Sequence, residues 1–345
     1  MAPQVSRIAI VGAGVIGRMH AKAIAMAPGV TLAAIVDPSP EAQAVAAEFA
    51  VPLHASLESL IDAGGIDGVI LATPNQLHAP GALTCIAAGL PVLVEKPLAG
   101  DLAGARAILA AADAADVAVA TGHHRRHNPL IVRAKALIDE GALGQIAAIH
   151  GSTWFLKPDA YFEADWRRKP GAGPVYLNLI HDIDLMMHFC GPVARLQAMT
   201  TNAIRGFEVE DTSVVSLQFR SGALGTITVS DTVPAPWSWE LTARENPAYP
   251  ATGQDCYWIA GTEGSLALPS LTLWRQPGWH EAISATRFPF DFADPLVLQA
   301  AQFGRVVRGE APPLVSAHDG LAALEVVEAV RQAAASGRMV VPGEV

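Results

Sequence analysis

Cysteine is scarce in this chain: Cys85, Cys190 and Cys256 are the three present in 345 residues, far apart and with no paired spacing. That scarcity excludes a disulfide framework, offers no zinc or iron–sulfur ligand set, and suits a reducing cytoplasm. Positive charge is also in deficit, with 23 Lys and Arg against 33 Asp and Glu and a formal net charge of -10. An acidic chain of this kind is not expected to bind nucleic acid or an anionic membrane as its main partner. Half of the residues are hydrophobic (51%), yet no unbroken apolar run approaches the roughly 18 residues that cross a bilayer. Met1 to Ser6 is short and polar and leads straight towards a strand, so no signal peptide is expected. What remains is a chain long enough for two domains, each with its own core.

The first half alternates strand and helix patterns. Arg7 to Val11 is an apolar strand running into Gly12-Ala13-Gly14-Val15-Ile16-Gly17, after which a helix extends from Ile16 to about Ala27. In such a GxGxxG turn the first glycine permits the tight bend, the second lets a pyrophosphate approach the backbone, and the third lets the helix pack on the strand. The helix start supplies free N–H groups and the positive dipole end. The next strand, Thr31 to Val36, ends in Asp37, about 20 residues after the third glycine. A carboxylate there accepts hydrogen bonds from ribose hydroxyls and repels a 2′-phosphate. With Pro38 and Ser39 following and no arginine, the pattern favours NAD over NADP. A solvated acid capping the helix near Pro40 is the alternative.

Further strands are expected over Gly68–Thr73, Pro91–Glu95 and Val117–Thr121, with helices over Ser56–Asp62, Leu77–Ala88 and Leu102–Ala115. This alternation implies a parallel, doubly wound sheet. Thr73-Pro74-Asn75, with His78 just beyond, is either a contact for the nicotinamide end of a dinucleotide or an ordinary turn. Leu93-Val94-Glu95-Lys96-Pro97-Leu98 ends a strand in a carboxylate, an amine and a proline. The end of a strand in an open α/β sheet is where ligands bind, and a partly desolvated lysine beside a positive ring is suited to accept a proton. A surface ion pair at a strand end is the plainer reading of the tripeptide alone.

VGAGVIG, ATPNQLH and VEKPLA, in that order, resemble the Gfo/Idh/MocA oxidoreductases, and the resemblance runs from Arg7 to about Val341. It implies that Glu95, Lys96 and Pro97 line the nicotinamide pocket and that Lys96 serves in acid/base chemistry. It also implies that His123 to Pro129 forms a pocket wall leading into the second domain, with His124 and Arg125 as substrate or nicotinamide contacts. From the residues alone, that histidine-rich stretch lacks metal-ligand spacing and is nearly as well explained as a solvated loop.

The second half opens with a helix over Leu130–Glu140 and a strand over Gln145–Phe155. Lys157 to Pro170 mixes Tyr161, Phe162 and Trp166 with Arg167, Arg168 and Lys169. Such a stretch lines a pocket for a polar ring or carboxylate, Trp166 and Arg167 being the candidate contacts, or packs on its own aromatics. Gly171-Ala172-Gly173-Pro174 leads into a helix from Val175 to about Cys190, where the helical period places His181 on one face with Leu177, Asn178 and Asp184. A core histidine is the common explanation. The family resemblance assigns His181 the acid/base role, with Asp182 or Asp184 available to orient it. Many members place an aspartate four residues earlier, where this chain has Leu177. Asn178 can hydrogen-bond a substrate hydroxyl but cannot take its proton.

From Ala194 onward the chain is strand-rich, with a hairpin at Ser221-Gly222, a long loop over Pro234–Pro250, and closing helices over Asp294–Arg308 and Asp319–Ala335. The expected fold is α/β: a Rossmann domain over 1–122, then an α+β domain over 123–345 with an open, mostly antiparallel sheet. The resemblance implies that this sheet pairs with another subunit, giving a homodimer or homotetramer. The function expected is an NAD-dependent dehydrogenase acting on a CH–OH group of a small cyclic polyol, sugar or hydroxylated ring acid, with Lys96 and His181 as the acid/base pair. Redox-neutral cleavage of glycosidic bonds with tightly held NAD, and NAD sensing without catalysis, are the alternatives.

Overall fold

The computed structural model describes residues 5–344; the first four residues of the N-terminal reading lie outside the described residues. The chain divides into two compact units, 1–128 with 293–324, and 129–292 with 325–345.

The first unit carries six parallel strands in the order β3-β2-β1-β4-β5-β6. These are β1 (Ser6–Val11), β2 (Val30–Val36), β3 (Leu53–His54), β4 (Gly68–Leu71), β5 (Val92–Val94) and β6 (Val119–Thr121). Strands β4, β5 and β6 are buried throughout, the signature of a parallel sheet covered on both faces. Between the strands run α1 (Val15–Met26), α2 (Ala42–Glu48), α3 (Leu57–Ala63), α4 (His78–Ala87) and α5 (Leu102–Ala115). Two of their starts, those of α3 and α5, are chemically marked: the Ser56 hydroxyl accepts the Ser59 N–H, and Asp101 accepts the Gly104 N–H at 2.7 Å. Strand β3 was not expected, since two residues after Pro52 carry no alternation to read.

A later segment returns to this unit. In α9 (Pro295–Val307), Ala300, Phe303 and Val306 are buried against Ile8, Ile24, Val30 and Leu93. The Ser6 hydroxyl donates to Gly304 O at 3.0 Å, and Arg308 donates to Gly29 O at 2.9 Å. A single boundary at residue 122/123 has no place for this return. The apolar stripe of α9 announces that it packs, but not onto which core.

The second unit is built on eight strands in the order β14-β13-β12-β11-β7-β10-β9-β8. They are β7 (Ile146–Trp154), β8 (Val193–Thr201), β9 (Thr212–Phe219), β10 (Leu224–Ser230), β11 (Tyr257–Gly261), β12 (Ser265–Leu268), β13 (Thr272–Arg275) and β14 (Ser284–Arg287). All neighbours are antiparallel except β7 and β10. Gly222, at φ +93, makes the β9–β10 hairpin turn. The four-residue α8 (Trp239–Thr242) lies in the stretch read as a loop, and the wholly exposed β14 has no apolar face to betray it.

One face of this sheet is covered. Helix α7 (Ile180–Cys190) packs so closely at Gly151 that a Cβ there would stand 2.8 Å from Met186 Cε. Ile149, Val215, Ile227 and Ile259 are buried on that side. The alternate positions, His150, Val214, Leu224, Trp258 and Trp274, are exposed, with His150 and Trp258 stacked at 5.5 Å. Helices α6 (Pro129–Asp139) and α10 (Ala317–Ser336) complete the elements. Among the described residues no helix is long and apolar enough to cross a membrane.

Candidate functional site

In the first unit the expected residues fall in a row along the carboxyl edge of the sheet. Backbone bonds continue the ladder past the strand ends: Gly12 N–H to Val36 O (2.8 Å), Ala72 N–H to Val11 O (2.8 Å), Glu95 N–H to Leu71 O (2.9 Å) and Gly122 N–H to Val94 O (2.7 Å). Gly12, the Thr73 loop, Glu95-Lys96 and the His123 segment therefore stand side by side, at the edge where an open α/β sheet binds ligands.

The glycine turn has the geometry that its spacing requires. Gly12 sits at φ +99, and a Cβ there would lie 2.5 Å from Ala72 O. At Gly17 a Cβ would collide with Gly12 O, whereas at Gly14 it would meet nothing within 4 Å. The open side at Gly14 is the approach that a pyrophosphate needs, and Val15 and Ile16 are exposed at the start of α1. A cavity of about 640 Å³ adjoins it, walled in part by Gly14, Val15, Arg18, Asp37 and Ser39.

Asp37 accepts the Ala13 and Ser39 N–H groups, each at 2.8 Å. Burial pushes its carboxyl upward, but the Ala13 and Ser39 donors outweigh that and hold it below its ordinary value. It is thus a fixed anion at the rim of the cavity. On the other side of the glycine turn, past the end of β4, the Thr73 hydroxyl oxygen is buried with no hydrogen-bond partner among the described residues. An orphaned polar atom and a glycine cradle fit a bound dinucleotide.

His78 serves the same edge from α4. Its ring nitrogens face Pro97 O (2.7 Å) and Thr73 O (2.9 Å), so it ties the Thr73-Pro74-Asn75 loop to the lysine segment. A neutral ring donates to one of these carbonyls and a protonated ring to both. The Lys96–Pro97 peptide is cis.

Glu95 is buried, and its carboxylate is fixed by a residue the sequence did not single out. His20, on α1, approaches Glu95 Oε1 through Nε2 at 2.7 Å, while the Lys96 N–H donates to Oε2 at 3.1 Å. Burial would raise the Glu95 carboxyl. The His20 bond and the charges of His20, His124 and Lys96 reverse that and bring it down to about 2. A buried anion is therefore set against the backbone of the half-buried Lys96.

The His123–Asn128 stretch is not a solvated loop. Arg125, Arg126, His127 and Asn128 are buried, and His124 is half-buried. Arg126 pairs with Asp319 at 3.1 Å. Burial raises the Asp319 carboxyl, but Arg126 and Ser316 lower it further, below its ordinary value.

In the second unit, His181 lies in the first turn of α7 and is buried. The preceding turn, Val175–Leu179, is π-helical rather than α-helical, a widened turn that recurs at functional sites. The three- and four-residue spacing from Asn178 and Leu177 to His181 therefore no longer follows the α period, which holds from Ile180 onward. Glu210 packs against the start of this turn: its carboxylate accepts the Val175 N–H at 3.2 Å and occupies the space a Cβ on Gly173 would need. Asp182 accepts from Thr153 at 2.8 Å and from the Tyr257 hydroxyl, so it anchors α7 to the sheet. Asn178 is half-buried.

In the Lys157–Pro170 stretch, cations and aromatics are stacked on one another. The Arg167 guanidinium lies 4.1 Å from the Tyr161 ring centroid and donates to Tyr161 O at 2.7 Å. Phe162 is buried under Arg205, and Trp166 is 56% exposed. The buried Lys157 ammonium stands 3.6 Å from Asp231, which also takes Arg205. Burial, the larger influence, holds the Lys157 ammonium below its ordinary value despite Asp231.

Comparison with known proteins agrees with this geometry. Residues 6–123 match an oxidoreductase family with an NAD-binding Rossmann fold, and residues 131–267 match a GFO/IDH/MocA C-terminal domain. The chain is 30% identical over 347 residues to inositol 2-dehydrogenase 1 of Saccharopolyspora erythraea, covering 96% of this chain and 94% of that one. It is 30% identical to 1,5-anhydro-D-fructose reductase of Ensifer adhaerens over 82% of each. A crystal structure of the WlbA dehydrogenase from Bordetella pertussis, in complex with NADH and UDP-GlcNAcA, superposes with a TM-score of 0.79 at 28% identity, covering 98% of this chain and 99% of that one.

Proposed function

The chain belongs to the Gfo/Idh/MocA family of NAD-binding oxidoreductases, and from that premise we propose that it oxidises a secondary alcohol of a small cyclic polyol, sugar or hydroxylated ring acid. NAD, when bound, supplies the hydride acceptor at its nicotinamide C4. The side chains do the rest. Gly12, Gly14, Gly17 and the start of α1 hold the pyrophosphate, Asp37 takes the ribose hydroxyls, and the Thr73-Pro74-Asn75 loop meets the nicotinamide end. Lys96 takes the proton of the substrate hydroxyl as the C–H bond breaks, and His181 shares that proton and steadies the oxygen. His124, Arg125, Trp166, Arg167 and Asn178 contact the substrate.

The observation that carries this reading is the row along the carboxyl edge: an open glycine turn, a fixed acid at Asp37, the orphaned Thr73 hydroxyl and a lysine backed by a buried carboxylate. The named relatives that act on inositol and anhydrofructose support a polyol or sugar as the substrate. The uncovered face of the second unit's sheet, with Trp258 and Trp274 outward, supports pairing with a second copy. Three free cysteines, all buried, support a cytoplasmic setting.

The test is a screen of inositols, sugars and sugar acids with NAD, followed by NADH absorbance, with NADP in parallel. A hit that is lost in both Lys96→Ala and His181→Ala supports the reading. Release of a free sugar without net NADH points instead to redox-neutral bond cleavage. For the assembly, light scattering of wild type and Trp258→Glu is decisive: a wild-type monomer ends the pairing idea.

A further inference from the structure

The second unit contains a cavity of about 480 Å³ that the proposed reaction does not use. Its walls include Arg244, Arg287, Thr252, Phe288, Phe290 and Phe292, and no aspartate or glutamate is among its described lining residues. In a chain with a net charge of -10, an acid-free wall bearing two guanidiniums is out of keeping with the surface as a whole.

Both arginines have donors to spare. Arg244 makes no hydrogen bond or ion pair among the described residues; its guanidinium lies 5.9 Å from the centroid of the Phe292 ring. Arg287 donates from Nε to Ser270 O at 3.1 Å, and the other N–H groups of its guanidinium have no partner among the described residues. The acids next to the wall in sequence are Glu245, Asp255 and Asp291, none of them among its lining residues. Asp255 accepts the N–H and hydroxyl of Ser270 at 2.7 and 2.9 Å.

Arg244 is also held at φ +60, a backbone state that non-glycine residues seldom adopt without a local reason. The aromatic side is equally unspent. Phe292 is 67% exposed, and its ring centroid lies 5.0 Å from that of Phe290. Arg133 stacks on Phe288 at 5.5 Å, adding a third cation behind the aromatic wall.

The cavity sits at the same end of the sheet as the start of α7. Trp154, the last residue of β7, donates to Trp237 O at 2.9 Å, Ser152 donates to Cys256 O at 2.9 Å, and the Asp182 anchor holds Thr153 and Tyr257. The 237–256 segment, which supplies one wall, is thus tied to the strands that seat His181's helix.

We propose that this cavity binds a small organic anion with a flat apolar body, its carboxylate or phosphate held by Arg244 and Arg287 and its body laid against Phe288, Phe290 and Phe292. Guanidinium forks match either oxyanion, and apolar walls with a few polar groups in this volume range are the usual form of a small-molecule site. The inference stands independently of the dehydrogenase reading, since it rests on other residues.

Calorimetry on the full-length, NAD-saturated protein tests it, with phenyl phosphate, benzoate, inorganic phosphate and benzyl alcohol as probes. Saturating NAD keeps the aryl anions out of the dinucleotide cavity. Phenyl phosphate or benzoate is expected to bind, whichever is tighter naming the oxyanion, and raising the salt concentration weakens it. Arg244→Gln and Arg287→Gln each weaken that binding at least tenfold, Arg244→Lys less so, and Phe292→Ser weakens the aryl anions while leaving inorganic phosphate as it was. NAD affinity and melting temperature in the variants report whether the fold is intact. Unchanged affinity in folded Arg244→Gln and Arg287→Gln, equal binding of benzyl alcohol, or no heat from any anion at millimolar concentration overturns the proposal.

Discussion

Two helices in this molecule begin after a glycine-rich turn, and they are shaped by different means. At Gly12–Gly17 the constraints are backbone ones: Gly12 needs its positive φ and abuts Ala72 O on the neighbouring strand, and Gly17 is pressed against the carbonyl of Gly12 itself. At Gly171–Pro174 the close approach comes from Glu210, a residue on another part of the chain, and the helix that follows opens with a π turn. A motif is readable when its parts constrain one another at fixed spacing. It stops being readable when the contacts come from a distant side chain.

Four substitutions sharpen that contrast. The largest loss is expected for Gly17→Ala, where the added Cβ meets backbone that cannot yield. Overpacking of this kind costs about 1–3 kcal/mol and sometimes more, so the melting temperature drops and NAD affinity falls by about a hundredfold or more, roughly 1.4 kcal/mol per factor of ten. A tolerated Gly17→Ala would mean that the first turn is no more rigid than the second.

Lys96→Ala follows, lowering kcat by about 10²–10⁴-fold, the usual share of a positioned acid/base group, while NAD affinity measured by calorimetry changes far less. Retained turnover would leave the fold intact and remove the lysine from the chemistry.

His20→Leu comes next. Glu95 then keeps its burial but loses a donor, a loss of about 1–3 kcal/mol. The pH dependence has a definite sign. The folded Glu95 titrates at about 2, below its ordinary 4.5, so its ionised form adds stability above that ordinary value. The contribution is lost as pH falls towards 2. Denaturant unfolding followed from pH 5 to 2.5 is expected to show a steeper acid loss in wild type than in His20→Leu.

The smallest effect belongs to Glu210→Gln. Burial holds the Glu210 carboxyl above its ordinary value, so at neutral pH its charge works against the fold, and stability rises as pH falls through the raised value. Glutamine keeps an acceptor for the Val175 N–H and removes the charge. Stability is expected to stay level or rise by up to about 1 kcal/mol, the scale of a change without a cavity or a lost bond, with kcat within about threefold. A large loss of turnover would instead make Glu210 part of the site.

Much of the first unit was legible. Continuous apolar runs announced β4 and β5, and α5 spans the Leu102–Ala115 expected for it. Asp37 stood where its distance from Gly17 put it. His20 was not legible, because nothing in MHAKA says that a helix histidine will reach a carboxylate 75 residues later. The burial of Arg125 and Arg126 was hidden for the same reason, since Asp319 comes from the far end of the chain. In the second unit the strands were readable from alternation, but β14, with no buried side, and the π turn before His181 were not.

The return of α9 to the first unit has a consequence for the way the protein is made. As the chain emerges from the ribosome, the first 128 residues complete their six strands while the surface around Ile8, Ile24 and Val30 still lacks Phe303. That apolar patch stays uncovered until Phe303 is made, the kind of transiently exposed surface that makes folding intermediates prone to aggregate. A gene fragment ending after residue 128 would yield the same unfinished surface permanently. A fragment that supplies 293–324 in trans is the rational partner for rescuing it.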